Sequence, residues 1–206
     1  MGGRHHYRDA VAPSLRRVAA PAQLLVTPKE ARQHLRIDHN DDDASLEVYL
    51  RAATEMLDGV EGRLGRALVS QEWEQRQAKP DRHRVDILLG PNPQIVSLFY
   101  VDTADNIQAL TVSDFRVIDM GDRAYIEPRP GYSWPTDFAD RPDALRIVFA
   151  AGEAAEDIAE TIKQAIRLIA GHWYEQREAT AVVEMREIPI GAETLINISK
   201  VHGWVG

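Results

Sequence analysis

The chain has 206 residues, 44% hydrophobic and 27% charged, enough for one domain with an insertion and a sizeable buried core. It has no cysteine, which excludes a disulfide framework, a thiolate nucleophile and sulfur-based zinc sites. Lysine and arginine number 24 against 32 acids, a formal net charge of −8, the opposite of the basic balance usual in dedicated DNA-binding domains.

Residues 1–17 hold Arg4, Arg8, Arg16 and Arg17 against the single acid Asp9. Without an apolar signal-peptide core, this arm reads as a solvated tail of a soluble, intracellular protein, or one that docks on an acidic partner. No apolar run approaches the roughly 18 residues of a membrane span. Thr27-Pro28-Lys29-Glu30 predicts a helix start, with Thr27 as cap, Pro28 in the first turn and Glu30 completing a capping box. That helix ends near residue 37. The acidic turn 38–43 favours the N-terminus of a second helix. Its stripe of Leu46, Tyr49, Leu50, Ala53, Met56, Leu57, Val60 and Leu64 recurs every three or four positions.

From residue 70 to 152 the pattern changes to short strands, near 72–77, 85–89, 94–102, 107–111, 115–118, 124–127 and 145–150. Alternation within 94–102 and turn residues at 104–106 and 120–122 predict an antiparallel meander. The proline-rich stretch 128–142 is a loop carrying Tyr132 and Trp134. Helical periodicity returns over 155–177 through Ile158, Ile162, Ala165, Ile166, Ile169 and Trp173. A linker at 179–185, a turn at 188–191 and a short helix at 192–198 follow.

The expected fold is α+β. Two N-terminal helices and a long C-terminal one form a helical core from 24–69 and 153–186. A β-rich insertion occupies 70–152, with an N-terminal arm at 1–23 and a C-terminal docking tail at 187–206.

Tests for chemistry point away from catalysis. Asp38-x-Asn40-x-Asp42 opens like a calcium loop, but position six is Asp43 instead of glycine and position twelve is Tyr49 instead of glutamate. His172 and Glu175 lack the second ligand set of a bundle metal site. No nucleophile elbow, phosphate-binding loop or dinucleotide fingerprint occurs. No catalytic, metal or cofactor site is therefore assigned. The candidates are contact residues: Arg16 and Arg17 in the arm, Tyr132 and Trp134 in the loop, His172, Trp173 and Tyr174 near the last long helix's end, and Trp204 in the tail. For the loop and helix aromatics, packing against the chain's own core is the competing reading.

The order of several motifs resembles a family. Leu25-Val26-Thr27-Pro28-x-Glu30-Ala31-x-x-His34-Leu35-Arg36 precedes Ile37-Asp38 and Asp41-Asp42-Asp43. Tyr49-Leu50-x-Ala52-Ala53 and Gly62-Arg63-x-x-Gly65-Arg66-Ala67-Leu68 follow, then Leu89-Gly90-Pro91 and Pro130-Gly131-x-Ser133-Trp134-Pro135. Gly171-His172-Trp173-Tyr174-Glu175 and Ile188-Pro189-Ile190-Gly191 complete the series. It resembles the head–tail connector (adaptor) proteins of tailed phages and prophages that carry a β insertion between helices. The resemblance spans about residues 24–196; the arm at 1–23 lies outside it, and 197–206 lacks its basic final turn.

The resemblance implies a homo-oligomeric ring, commonly a dodecamer, beneath the portal protein in the neck of a phage or gene transfer agent. The chain would wait in the bacterial cytoplasm before assembly. Such a ring extends the DNA channel and docks a tail-side stopper or tail terminator protein, without enzymatic turnover or sequence-specific DNA contact. A net acidic conduit suits sliding DNA, and a ring needs head-to-tail contacts. The segment around Trp204, with the arm at Arg16 and Arg17, is expected to clamp the portal. The alternative is a nucleic-acid-binding or other protein-interaction module of a mobile element.

Overall fold

The computed structural model describes residues 12–21, 23–121, 123–176 and 188–200. The chain divides into two compact units, one helical and one β-rich, in keeping with the expected α+β class.

The helical unit takes Pro21–Gln71, Leu89–Pro91 and the chain from Gly152 onward. Its first helix, α1 (Pro28–Leu35), starts where the capping box predicts. Thr27 Oγ1 accepts from the Glu30 amide at 3.3 Å, and Glu30 Oε2 accepts from the Thr27 amide at 2.7 Å. That backbone bond holds the Glu30 carboxyl below its ordinary range. Arg36, in the left-handed region at φ 58°, closes the helix just short of residue 37.

The second helix, α2 (Asp43–Leu57), stops well before its apolar stripe does. Asp58 turns the chain extended, and its buried carboxylate accepts from the Leu68 amide at 2.7 Å and from Gln71 Nε2 at 2.9 Å. The loop between is thus drawn in, and Leu64 and Leu68 reach the same core without being helical. The stripe marks Leu46, Leu50, Ala53, Leu57 and Leu64 as buried, leaves Tyr49, Met56 and Val60 only partly so, and overstates the helix.

α3 (Glu160–Glu175) begins later than 155 and buries Ile162, Ala165, Ile166, Ile169 and Trp173. A Cβ on Gly171 would lie 2.8 Å from Leu35 Cδ2, so the glycine permits α3 to approach α1. α4 (Ile190–Ser199) is longer than the short helix at 192–198 and buries Ala192 and Ile196. Among the described residues, α1, α2, α3 and α4 feed one apolar cluster. The linker at 179–185 lies outside the described residues.

Among the described residues the β-rich unit holds eight strands: β1 (Ser14–Ala19), β2 (Gln71–Gln77), β3 (Val85–Ile87), β4 (Gln94–Val101), β5 (Ile107–Leu110), β6 (Phe115–Asp119), β7 (Ala124–Pro128) and β8 (Leu145–Ala151). Seven lie near the expected positions. The eighth, β1, falls in the arm expected as a solvated tail. It pairs antiparallel with β2, Arg16 facing Glu74 and Arg17 facing Trp73, and these cross-strand partners are invisible to a charge count.

Strand order also departs from a single meander. One sheet runs β1-β2-β8-β4-β5 and the other β3-β7-β6, so β8 returns to lie between β2 and β4. Trp73, Leu98, Leu145, Ile147 and Phe149 are buried. The buried Gln75 side chain ties the sheets together. Its Nε2 donates to the Asp86 carbonyl at 2.8 Å, and its Oε1 accepts from the Leu88 amide at 3.1 Å.

Candidate assembly surfaces

On β2, alternation points Trp73 and Gln75 to one face and Glu74 and Arg76 to the other. Glu74 is only 4% exposed and collects three guanidinium groups from three strands: Arg16 at 3.0 Å, Arg76 at 2.9 Å and Arg146 at 2.6 Å. Burial pushes this carboxyl up, and the hydrogen bonds from Arg76 and Arg16 overcome it, leaving it below the ordinary range. Arg146 also lies over the Phe99 ring, 5.2 Å from its centroid. The five-stranded sheet therefore presents an arginine-studded face around one anchored carboxylate.

Beside it is a concavity of about 320 Å³ whose lining includes Arg76, Phe99, Ile107, Arg141 and Asp143. Arg141 grips Asp143 in two-point fashion, at 2.6 and 3.0 Å, and reaches Asp105 at 3.2 Å. Its hydrogen bonds hold the Asp143 carboxyl low. At the β4–β5 turn, Asp102 accepts from the Ala104 and Asn106 amides, both at 2.9 Å, and from Gln108 Nε2 at 2.8 Å. The Gln108 bond is the largest of the influences that depress its carboxyl.

The contact candidates separate clearly. Arg16 and Arg17 sit on β1, with Arg16 on Glu74 and Arg17 5.1 Å from the Trp73 ring centroid. Trp134 is a core residue: it is buried, 4.4 Å from the Phe115 ring, and its Nε1 donates to the His83 carbonyl at 3.1 Å. Tyr132, two residues earlier, is 57% exposed. Trp173 is buried in the helical core, whereas His172 is half-buried. Tyr174 donates to Asp42 Oδ2 at 2.5 Å and ties the end of α3 to the cap of α2. Trp204 lies outside the described residues.

The acidic turn is engaged within the fold: Asp42 by Tyr174, and Asp43 by Arg32 at 2.8 Å. Among the described residues no group of histidine and carboxylate side chains is arranged to hold a metal ion. No described helix is long and apolar enough to cross a membrane.

Two features escaped the sequence reading. Ile190 and Ile198, 85% and 67% exposed, lie two turns apart on α4; a helix started at 192 leaves Ile190 in a turn. Glu74 differs in no local sequence signal from the other acids. Only β1 and β8 arriving on either side of β2 make it a hub.

The phage gp6-like head–tail connector family model matches residues 27–88 and 125–199. No curated protein matches the chain in sequence. Among solved structures, a chain in the neck of an empty gene transfer agent particle, computed with C6 symmetry, is 26% identical with a TM-score of 0.69. A chain in the virion of a native gene transfer agent particle is 27% identical with a TM-score of 0.69. A third, in the neck of a native particle computed with C12 symmetry, is 26% identical with a TM-score of 0.68. Each alignment covers 91% of this chain and 95% of the other.

Proposed function

Because this chain belongs to the phage gp6-like head–tail connector family, we propose that twelve copies close into a ring beneath the portal protein. It is a structural connector in the neck of a phage-like particle. The ring continues the DNA channel toward a tail-side stopper or tail terminator protein, and DNA passes through it without sequence-specific binding. The chain acts without catalytic turnover. One observation carries this reading: the chain aligns over 91% of its length with 95% of a neck-particle chain at a TM-score of 0.69.

Two chemical arguments support the finer statements. The net charge of −8 keeps phosphate contacts few along a conduit. Tyr132 and the exposed isoleucines of α4 offer apolar contact area to neighbouring proteins. The direct test removes the chain from a producing cell. Capsids that package DNA but carry no tails are expected. Normally tailed particles from that strain would contradict the reading, and a duplex gel shift at low salt would favour a nucleic-acid-binding module instead.

A further inference from the structure

A closed ring of identical subunits needs two different, mutually complementary surfaces on each copy. The five-stranded sheet has two such surfaces in its edges. Its order places β1 at one edge and β5 at the other, and among the described residues neither has a second partner strand. An unpaired edge is a row of free backbone donors and acceptors, which proteins usually guard with charge, proline or a bulge. β5 has none of these; its only guard is its length of four residues, and Ile107 on it is 71% exposed. β1 carries the exposed Val18 and an irregularity between Arg17 and Ala19.

The segments at the two edges also differ in the charges they carry along the chain, with Arg141 reaching Asp105 and Glu74 holding Arg16 within the subunit. Residues 12–20 contain Arg16 and Arg17 and no acid, whereas residues 102–114 contain Asp102, Asp105 and Asp114 and no lysine or arginine. Arg16 and Asp105 are both well exposed, with side-chain exposures of 70% and 81%. Opposite fields on two edges favour head-to-tail pairing and oppose like-edge pairing. Both edge strands and the interior strand β4 lie outside the family-matched stretches, while the interior strands β2 and β8 lie within them.

We propose that the β5 edge of each subunit takes the β1 edge of a second copy, so that the sheet continues from subunit to subunit around the ring. This rests on the connector reading and adds the contact that closes the ring. Backbone pairing supplies the adhesion, and the Arg16/Arg17 against Asp105 polarity sets the direction. The test places a benzophenone photo-cross-linker, p-benzoylphenylalanine, at Ile107 of the full chain in assembled particles, with adducts mapped by mass spectrometry. Adducts on residues 12–20 of a second copy are expected, together with at least a tenfold loss of tailed particles for Ile107→Lys in a chain whose circular dichroism is unchanged. Adducts on another segment or another protein, or no adducts, overturn the proposal even where the chain is present in the neck. Absence of the chain from the particles would instead defeat the connector reading itself.

Discussion

The two units are held together by different means. The helical unit is an apolar cluster in which Leu46, Leu50, Leu57, Ile162 and Ile166 are almost completely buried. The β-rich unit also buries apolar residues such as Leu98, Ile147 and Phe149, and adds polar organisers: Gln75 joins the two sheets, Glu74 gathers three strands, and Asp102 shapes a hairpin. The family model covers α1 to α4 and omits β1 and the stretch 89–124. Apolar burial tolerates many substitutions of similar volume, so a shared helical core survives divergence. A polar hub requires particular partners at particular distances; Gln75 and Glu74 lie within the matched stretches, whereas Arg16 and the Asp102 hairpin lie outside them.

That contrast is open to breakage, beginning with the largest effect. Leu50→Ala removes a fully buried side chain and should destabilise the helical unit by about 3 kcal/mol, read from denaturant unfolding. A loss below about 1 kcal/mol would mean that the site collapses freely and is not a packed core. Glu74→Gln leaves three guanidinium groups without their carboxylate and should cost about 2 kcal/mol. Their exposure keeps the effect below that of a fully buried pair.

The same substitution sharpens the comparison through pH. The Glu74 carboxyl is held below its ordinary range in the folded chain, so its stabilising contribution is complete above the unfolded-state pKa. It is lost as pH falls through the lowered folded value. Unfolding midpoints between neutrality and pH 3 should therefore fall for the parent chain and fall less for Glu74→Gln. Equal acid sensitivity in both would locate the titrating group elsewhere. Asp102→Ala removes the acceptor for two backbone amides and should loosen the hairpin, visible as faster hydrogen exchange in β4 and β5. The smallest effect belongs to Ile198→Ser on exposed α4, within about 0.5 kcal/mol of the parent, while its tailed-particle yield should drop if that face meets a neighbour.

How much of this was legible in the sequence follows the same division. The capping box at Thr27 and the stripes of α2 and α3 are local signals, and they mark most of what those two helices bury. They erred at the end of α2, because a buried loop anchored by Asp58 can continue an apolar period without continuing the helix. Strand positions were also legible from alternation and turns, but sheet order was not. Nothing near Leu145 states that β8 returns between β2 and β4, and nothing in Ser14–Ala19 states that Trp73 and Glu74 await its arginines. Among the contact candidates, Trp134 and Trp173 turned inward while Tyr132 stayed exposed; residue type alone does not separate these outcomes. The resemblance of ordered motifs reached the family where the residues by themselves had reached only a contact protein.

Cryo-electron microscopy of purified particles, with this chain carrying a density tag, tests the central claim most directly. The account predicts tagged density in a closed ring between capsid and tail, with the DNA channel passing through its centre. A complete neck with no density from this chain would contradict it.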